Sequence, residues 1–307
     1  MSTETRKYRR FSIERRVEHI VMLLSFTTLG LTGLPQKFPD APISTANIKA
    51  LGGIETLRNI HHAAAIVMMF GTAYHLLVMG YHVFVLRSRM SMLPTLQDAK
   101  DAWQALMYNV GIAKTYPQMG RFTFEEKMEY WAFVWGAMIM GLTGFLMWNP
   151  ITATRYVPGE LIPAAKAAHG GEALLAVLAI IIWHMYGVHI KRFNKAMWTG
   201  TQTETEMLHE HPLELADIKA GIADRRPDAT TIRKRMRVYV PLATIITVGM
   251  LAGIYAFVSV EETALTTVPP QENAPEIFVP QTPTPAPGGS LPSPDAQLGT
   301  VFLDYEL

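Results

Sequence analysis

The stretch HGGEALLAVLAIIIWHMYGVH, residues 169–189, decides how the chain is read. It is apolar and long enough to cross a bilayer as a helix, since about 20 helical residues span about 30 Å of hydrocarbon. It nevertheless carries three imidazoles, His169, His184 and His189. Hydrocarbon does not tolerate such groups unless something binds them, so these histidines have to hold something.

Four further stretches share its apolar length: Val17–Leu34, Leu57–Leu86, Met128–Trp148 and Val238–Val260. The first is expected to be a retained helix, because it ends in GLPQKF without a small-x-small cleavage site. Of the 307 residues, 49% are hydrophobic and 17% charged, which agrees with a membrane protein diluted by polar segments. With 0 Cys, the chain forms no disulfide, no thiolate-bound iron-sulfur cluster and no thioether-linked haem.

The net charge of +1 conceals an uneven distribution. Lys and Arg number six before helix 1, six between helices 2 and 3 and ten between helices 4 and 5; the alternate loops hold two each, and the C-terminal tail none. The positive-inside rule therefore predicts a cytoplasmic N-terminus and a periplasmic C-terminus, which requires an odd number of spans. The divisions expected are a cytoplasmic segment 1–16, a four-helix core 17–195, a cytoplasmic loop 196–237, a fifth helix 238–260 and a tail 261–307. The loops contain helix-like patches, TLQDAKDAWQALMYN and EMLHEHPLELADIKAG, and no chemistry is attached to His209 or His211. The tail is Pro-rich and therefore expected to be extended, with seven acidic residues and no basic ones beyond Val260. No repeat of 20 to 50 residues is evident.

Eight of the ten histidines sit in or at the ends of three spans. Spacing sorts them, because each residue turns a helix by about 100° and advances it by about 1.5 Å. His61 and His75, fourteen apart, differ by about 40° and about 21 Å; His169 and His184, fifteen apart, by about 60° and about 22 Å. Helices 2 and 4 thus each offer one imidazole near the outer face and one near the inner face, at matched depths. A protein-only zinc or iron site recruits carboxylates or thiolates, which are scarce in these spans. A low-spin haem needs two axial ligands and brings its own apolar ring, so two stacked haem b groups are expected. The fold class is an all-α membrane protein, a four-helix haem-binding bundle plus a fifth transmembrane helix and an extended tail.

The sequence resembles the membrane cytochrome b subunits of formate dehydrogenase, the γ subunit, and related subunits of hydrogenase and thiosulfate reductase. The matching pieces are RFSIERRVEHI opening helix 1, TGLPQKF closing it, LRNIHH opening helix 2, GRFTFEEKMEYW before helix 3, TGFLMWNP at its end and the His-rich helix 4, over residues 9 to 195. The resemblance implies His61 and His169 as outer haem ligands and His19 and His184 as inner ones. Spacing alone selects His75 for the inner site; on the resemblance, His19 is expected as the inner ligand, with His75 as its alternative. Family helix 4 often separates its ligands by fourteen residues, against fifteen here. Arg58, at the outer end of helix 2, is placed either to pair with a haem propionate or to snorkel.

The resemblance further implies a membrane-anchor subunit of a respiratory complex in the bacterial inner membrane. It would pass electrons through two haems between a quinone, menaquinone or ubiquinone, and a periplasmic iron-sulfur or multihaem cytochrome subunit with its catalytic subunit. A quinone pocket is implied near the inner haem and the stretch carrying Arg121, Thr123, Glu125, Glu126 and Lys127. Substrate chemistry would then lie on another subunit. Membrane lipid is a partner and nucleic acid is not. The alternatives are a stand-alone transmembrane reductase of the cytochrome b561 kind and a His-based metal or proton transporter.

Overall fold

The computed structural model describes residues 6–223 and 225–259, all within one compact unit, Met1–Thr267. The tail expected at 261–307 lies outside the described residues. In chain order the elements are β1 (Lys7–Arg9), α1 (Ile13–Lys37), α2 (Pro42–Ala50), α3 (Ile54–Gly80, continued by a π-helical turn Tyr81–Leu86) and α4 (Leu96–Asn109). There follow α5 (Phe124–Trp148), α6 (Pro150–Thr154), α7 (Leu161–Ala179, continued by a π-helical segment Ile180–Lys191), α8 (Ala196–Thr199), β2 (Thr201–Thr203), α9 (Glu204–Glu210), α10 (Pro212–Lys219) and α11 (Ala229–Ser259).

Five helices, α1, α3, α5, α7 and α11, are long and apolar enough to cross a membrane, and the protein is an all-α membrane bundle. Their large apolar side chains, among them Leu24, Phe70, Leu142, Leu175, Ile182 and Ile245, are exposed. Such a surface is matched to lipid and not to water. Two helices begin well before their apolar spans: α7 starts at Leu161, placing His169 two turns inside it, and α11 starts at Ala229. Ala, Lys and Arg, which fill these extra turns, are strong helix formers, and the basic side chains reach out of the apolar zone.

α1 packs on α3, α5 on α7, and α1 also on α7. α11 packs on α3 and its π-helical turn. There the Tyr239 hydroxyl donates to the Leu77 carbonyl at the α-to-π junction, and Arg235 donates to the Val85 carbonyl at 2.8 Å. The fifth helix therefore supplies donors where a change of helix type disturbs the regular backbone ladder.

On the face that carries the N-terminus, the helical patches expected from sequence form α4 and the pair α9–α10. The latter is split at Pro212, which opens α10 because it has no N–H to give. β1 pairs antiparallel with β2, Tyr8 opposite Gln202. This clamps the N-terminal segment to the α7–α11 connection around buried Tyr8, Met207 and Leu215. At its centre lies His211, 1% exposed. Its Nδ1 donates to the Gly120 carbonyl at 2.9 Å, which leaves Nε2 to accept from the Arg10 guanidinium at 3.2 Å. Arg10 is itself buried, lies 3.5 Å from Glu126, and stacks over Phe11 and Phe122 at 5.0 and 5.1 Å. Arg121 pairs with Glu214 at 2.7 Å and donates to the Arg10 carbonyl. His211, given no role from sequence, is the keystone of this layer.

Two outcomes follow. Burial, with the Arg10 charge beside it, pushes His211 down to about 3 from its ordinary 6.5. The unfolded state then binds the extra proton first, so this layer is stable above pH 6.5 and loses stability as pH falls from there toward 3. Thermal melts in detergent between pH 8 and 5 should show a falling Tm that His211→Gln flattens, from a lower starting value. Tyr239→Phe should cost about 1 kcal/mol, read as a lower Tm with unchanged helicity.

Candidate haem sites

Three of the four transmembrane helices of the core contribute histidines that meet across the bundle. His61 on α3 faces His169 on α7, with ring centroids 6.4 Å apart. His19 on α1 faces His184 on α7, with centroids 6.5 Å apart. Thr32, which touches His61, lies thirteen residues beyond His19 on α1, so the two pairs are stacked about 20 Å apart along the bundle. His75, the rival for the inner site, is turned elsewhere: Nδ1 lies 3.4 Å from Glu18 and Nε2 3.1 Å from the Tyr130 hydroxyl. His62, next to His61, stacks on Trp148 with centroids 3.8 Å apart. Among the described residues, no group of three or more His, Asp or Glu side chains assembles to hold a bare ion.

The His61–His169 pair is built twice in the same way. The Thr32 hydroxyl donates to the Thr28 carbonyl at 2.6 Å and sits 2.9 Å from His61 Nδ1. The Thr143 hydroxyl likewise donates to the Ile139 carbonyl at 2.6 Å and sits 2.9 Å from His169 Nδ1. With the single hydroxyl proton used, each threonine oxygen accepts from Nδ1–H. Each imidazole therefore keeps its lone pair on Nε2, the nitrogen left for a metal. A glycine follows each threonine: a Cβ on Gly33 would stand 3.0 Å from His61 Cε1, and one on Gly144 3.4 Å from His169 Cε1. At the other pair, His184 Nδ1 lies 2.8 Å from Glu129.

Sequence reasoning missed Thr32 and Thr143, although a signal was present. RFSIERRVEH at 10–19 and RFTFEEKMEY at 121–130 are each followed at the same distance by GLTG, at 30–33 and 141–144. The period is 111 residues, longer than the 20 to 50 residues of the common repeat architectures. The α1–α3 hairpin is thereby repeated as α5–α7, with His61 and His169 as counterparts. His75 is the counterpart of His184, offset by one residue. The π-helical segment beginning at Ile180 absorbs that extra residue, which accounts for a spacing of fifteen where fourteen is common.

Arg58 pairs with Glu55 at 2.7 Å, and its Nε is buried without a hydrogen-bond partner among the described residues. Lys37 approaches the same end of the bundle, its Nζ 2.7 Å from where a Cβ on Gly170 would stand. The stretch expected to face a quinone is engaged in local structure. Thr123 and Glu126 cap α5 reciprocally, Glu125 accepts from Tyr116 at 2.9 Å, and Lys127 pairs with Asp98 at 2.7 Å.

A bundle of transmembrane helices with imidazoles facing one another in pairs is the ligand arrangement expected of a membrane cytochrome b. The model of the family described as prokaryotic cytochrome b561 matches residues 10–200, and the chain belongs to that family. It is similar to the formate dehydrogenase cytochrome b556(fdo) subunit of Escherichia coli K12, 22% identical over 215 residues, covering 66% of this chain and 89% of that protein. The nitrate-inducible formate dehydrogenase cytochrome b556(Fdn) subunit of the same organism is 22% identical over 217 residues, covering 69% and 92%. The formate dehydrogenase cytochrome b556 subunit of Haemophilus influenzae is 23% identical over 171 residues, covering 56% and 66%. The protein is thus a multi-pass bacterial membrane cytochrome b of the formate dehydrogenase γ group, and the family implies haem b.

The residues present fit that group. A metal about 2.0–2.1 Å from each of two imidazole nitrogens, each about 1.1 Å from its ring centre, separates the centroids by about 6.2–6.4 Å. The observed 6.4 and 6.5 Å lie at the upper end of this range and just above it, and the orphaned Arg58 Nε is a donor for a carboxylate such as a propionate. Thr32→Val and Thr143→Val should each weaken haem retention at the His61–His169 site about 10–100-fold, as loss of an outer-shell partner does. Gly33→Val, whose side chain collides with His61, should abolish it. Competition of the purified protein against apomyoglobin for haem reads both.

Proposed function

We propose that the chain is the membrane-anchor subunit of a respiratory oxidoreductase complex, carrying electrons across the bilayer through two b haems. The observation that supports it is the pair of stacked bis-imidazole sites within one bundle. In this reading His61 and His169 hold one haem, His19 and His184 the other, and Arg58 pairs with a propionate. Bound haem b supplies a one-electron iron centre. The protein orients the ligands, through Thr32 and Thr143 at one level and Glu129 at the other, and excludes water with lipid-facing apolar helices.

In this reading the N-terminal face is cytoplasmic, which its excess of Lys and Arg supports, with residues 1–16 and 196–237 on that side, the four-helix core at 17–195, the fifth helix at 238–260 and the tail 261–307 assigned to the periplasm. The relatives are subunits of formate dehydrogenases. By analogy, a periplasmic iron-sulfur or multihaem partner with its catalytic subunit exchanges electrons with the His61–His169 haem. A quinone, menaquinone or ubiquinone, exchanges them with the His19–His184 haem. A quinol that delivers two electrons releases two protons, and the reverse reaction takes up both.

Pyridine haemochrome analysis and reduced-minus-oxidised spectra should give two haems b per chain. His61→Ala or His169→Ala should remove one haem and His19→Ala or His184→Ala the other, whereas His75→Ala should remove neither. Loss of a haem from the His75 variant, with His19→Ala retaining both, would move the inner ligand to α3.

A further inference from the structure

The duplication of the α1–α3 hairpin leaves one side-chain cluster without a use. The counterparts of His61 and His169 are each other, so that pair is shared between the two repeats. The pair His19–His184 is not shared: by the same correspondence it maps onto Tyr130 and His75. The structure brings these two together, with ring centroids 6.0 Å apart and Nε2 3.1 Å from the phenol oxygen. Each deep histidine also has its own carboxylate, Glu129 for His184 and Glu18 for His75, and these glutamates are again counterparts. The bundle thus holds a second copy of the ligand pair at the N-terminal end, with a phenol in place of one imidazole.

That replacement changes what the copy binds. The phenol is hydrogen-bonded to His75 Nε2, so this pair has no second imidazole that could join His75 in holding a metal. What remains is a donor–acceptor couple inside a transmembrane bundle, oriented by Glu18, whose Oε1 is buried without a partner among the described residues. The His75 side chain is still 30% exposed. A ligand for it must dissolve in lipid and present an oxygen that both accepts and donates hydrogen bonds in its two redox forms. A quinone does this: its carbonyl accepts, and the hydroxyl of the quinol donates. Arg121, Thr123, Glu125, Glu126 and Lys127, the residues expected from sequence to face a quinone, are taken up by capping, a hydrogen bond and ion pairs, whereas Arg15 lies within electrostatic reach of both Glu18 and Tyr130.

We propose that His75 and Tyr130, with Glu18 orienting the imidazole, hold a ring oxygen of the quinone beside the His19–His184 site. The direct His75–Tyr130 bond opens to admit that oxygen, which accepts from the phenol as quinone and donates to His75 Nε2 as quinol. One quinol reduces two ferric haems by one electron each and releases two protons to water. This inference rests on the quinone reading above.

The test uses the full chain with its haems in lipid nanodiscs. Haem reduction by a short-chain naphthoquinol and a short-chain benzoquinol, and haem oxidation by the corresponding quinones, are followed by stopped flow for wild type, Tyr130→Phe and His75→Gln. Both variants should keep two haems per chain and the dithionite-reduced spectrum of the wild type. The quinol or quinone concentration giving half-maximal rate should rise at least tenfold in each. Half-saturation within twofold of wild type, or loss of a haem from His75→Gln, overturns this assignment while leaving the quinone reading intact. A wild type that reacts with neither compound in either direction overturns the quinone reading and this inference with it.

Discussion

An imidazole placed in hydrocarbon must have both of its nitrogens engaged, and the architecture is organised around that requirement. At His61 and His169 one nitrogen is taken by a threonine whose own proton is spent on its helix backbone. The other nitrogen is left for a ligand between the two rings, whose centroids are 6.4 Å apart. At His184 the first partner is Glu129. At His75 both partners are protein groups, Glu18 and Tyr130. The glycines after the two threonines serve the same end, because an imidazole packed against a neighbouring helix leaves no room for a Cβ.

Holding such rings in register demands that the helices do not slide. Within the apolar zone there is little hydrophobic force to prevent it, since lipid tails are as apolar as the side chains. The restraint comes from the N-terminal end, where Arg10, Arg121, Glu126, Glu214 and His211 tie the starts of α1 and α5 to α10. The β1–β2 pairing adds the N-terminal segment to that tie. α11 reinforces the end of α3 through Tyr239 and Arg235. Buried charge is costly, and here it is paired and hydrogen-bonded nearly throughout, which suits a lock that specifies one arrangement.

The internal repeat connects these features. Arg10 and Arg121 are counterparts, as are Phe11 and Phe122, Glu18 and Glu129, Thr32 and Thr143, and Gly33 and Gly144. The symmetry is exact in role only at the His61–His169 level. At the other level it is broken, with His19 opposite Tyr130 in the correspondence. A π-helical insertion in the second repeat moves His184 by one position relative to His75. Membership of the prokaryotic cytochrome b561 family, over residues 10–200, covers both repeats and stops before α11.

Much was legible in the chain by itself. Five apolar stretches, the absence of cysteine and the concentration of histidine in spans define an all-α membrane bundle with paired imidazole sites, because hydropathy and helical period act locally. The pairing of His61 with His169 was legible too, as both lie near the same ends of their helices. The meeting of His19 with His184 was expected from the family resemblance but not from helical spacing, and only the tertiary structure decided that His75 turns to Glu18 and Tyr130. Depth along a helix follows from residue count, but the direction a side chain faces depends on packing and on the π-helical offset, neither of which a period of 3.6 contains. The same holds for His211: nothing in EMLHEHPLELADIKAG marks it as buried, since its partners, Arg10 and Gly120, are 201 and 91 residues away.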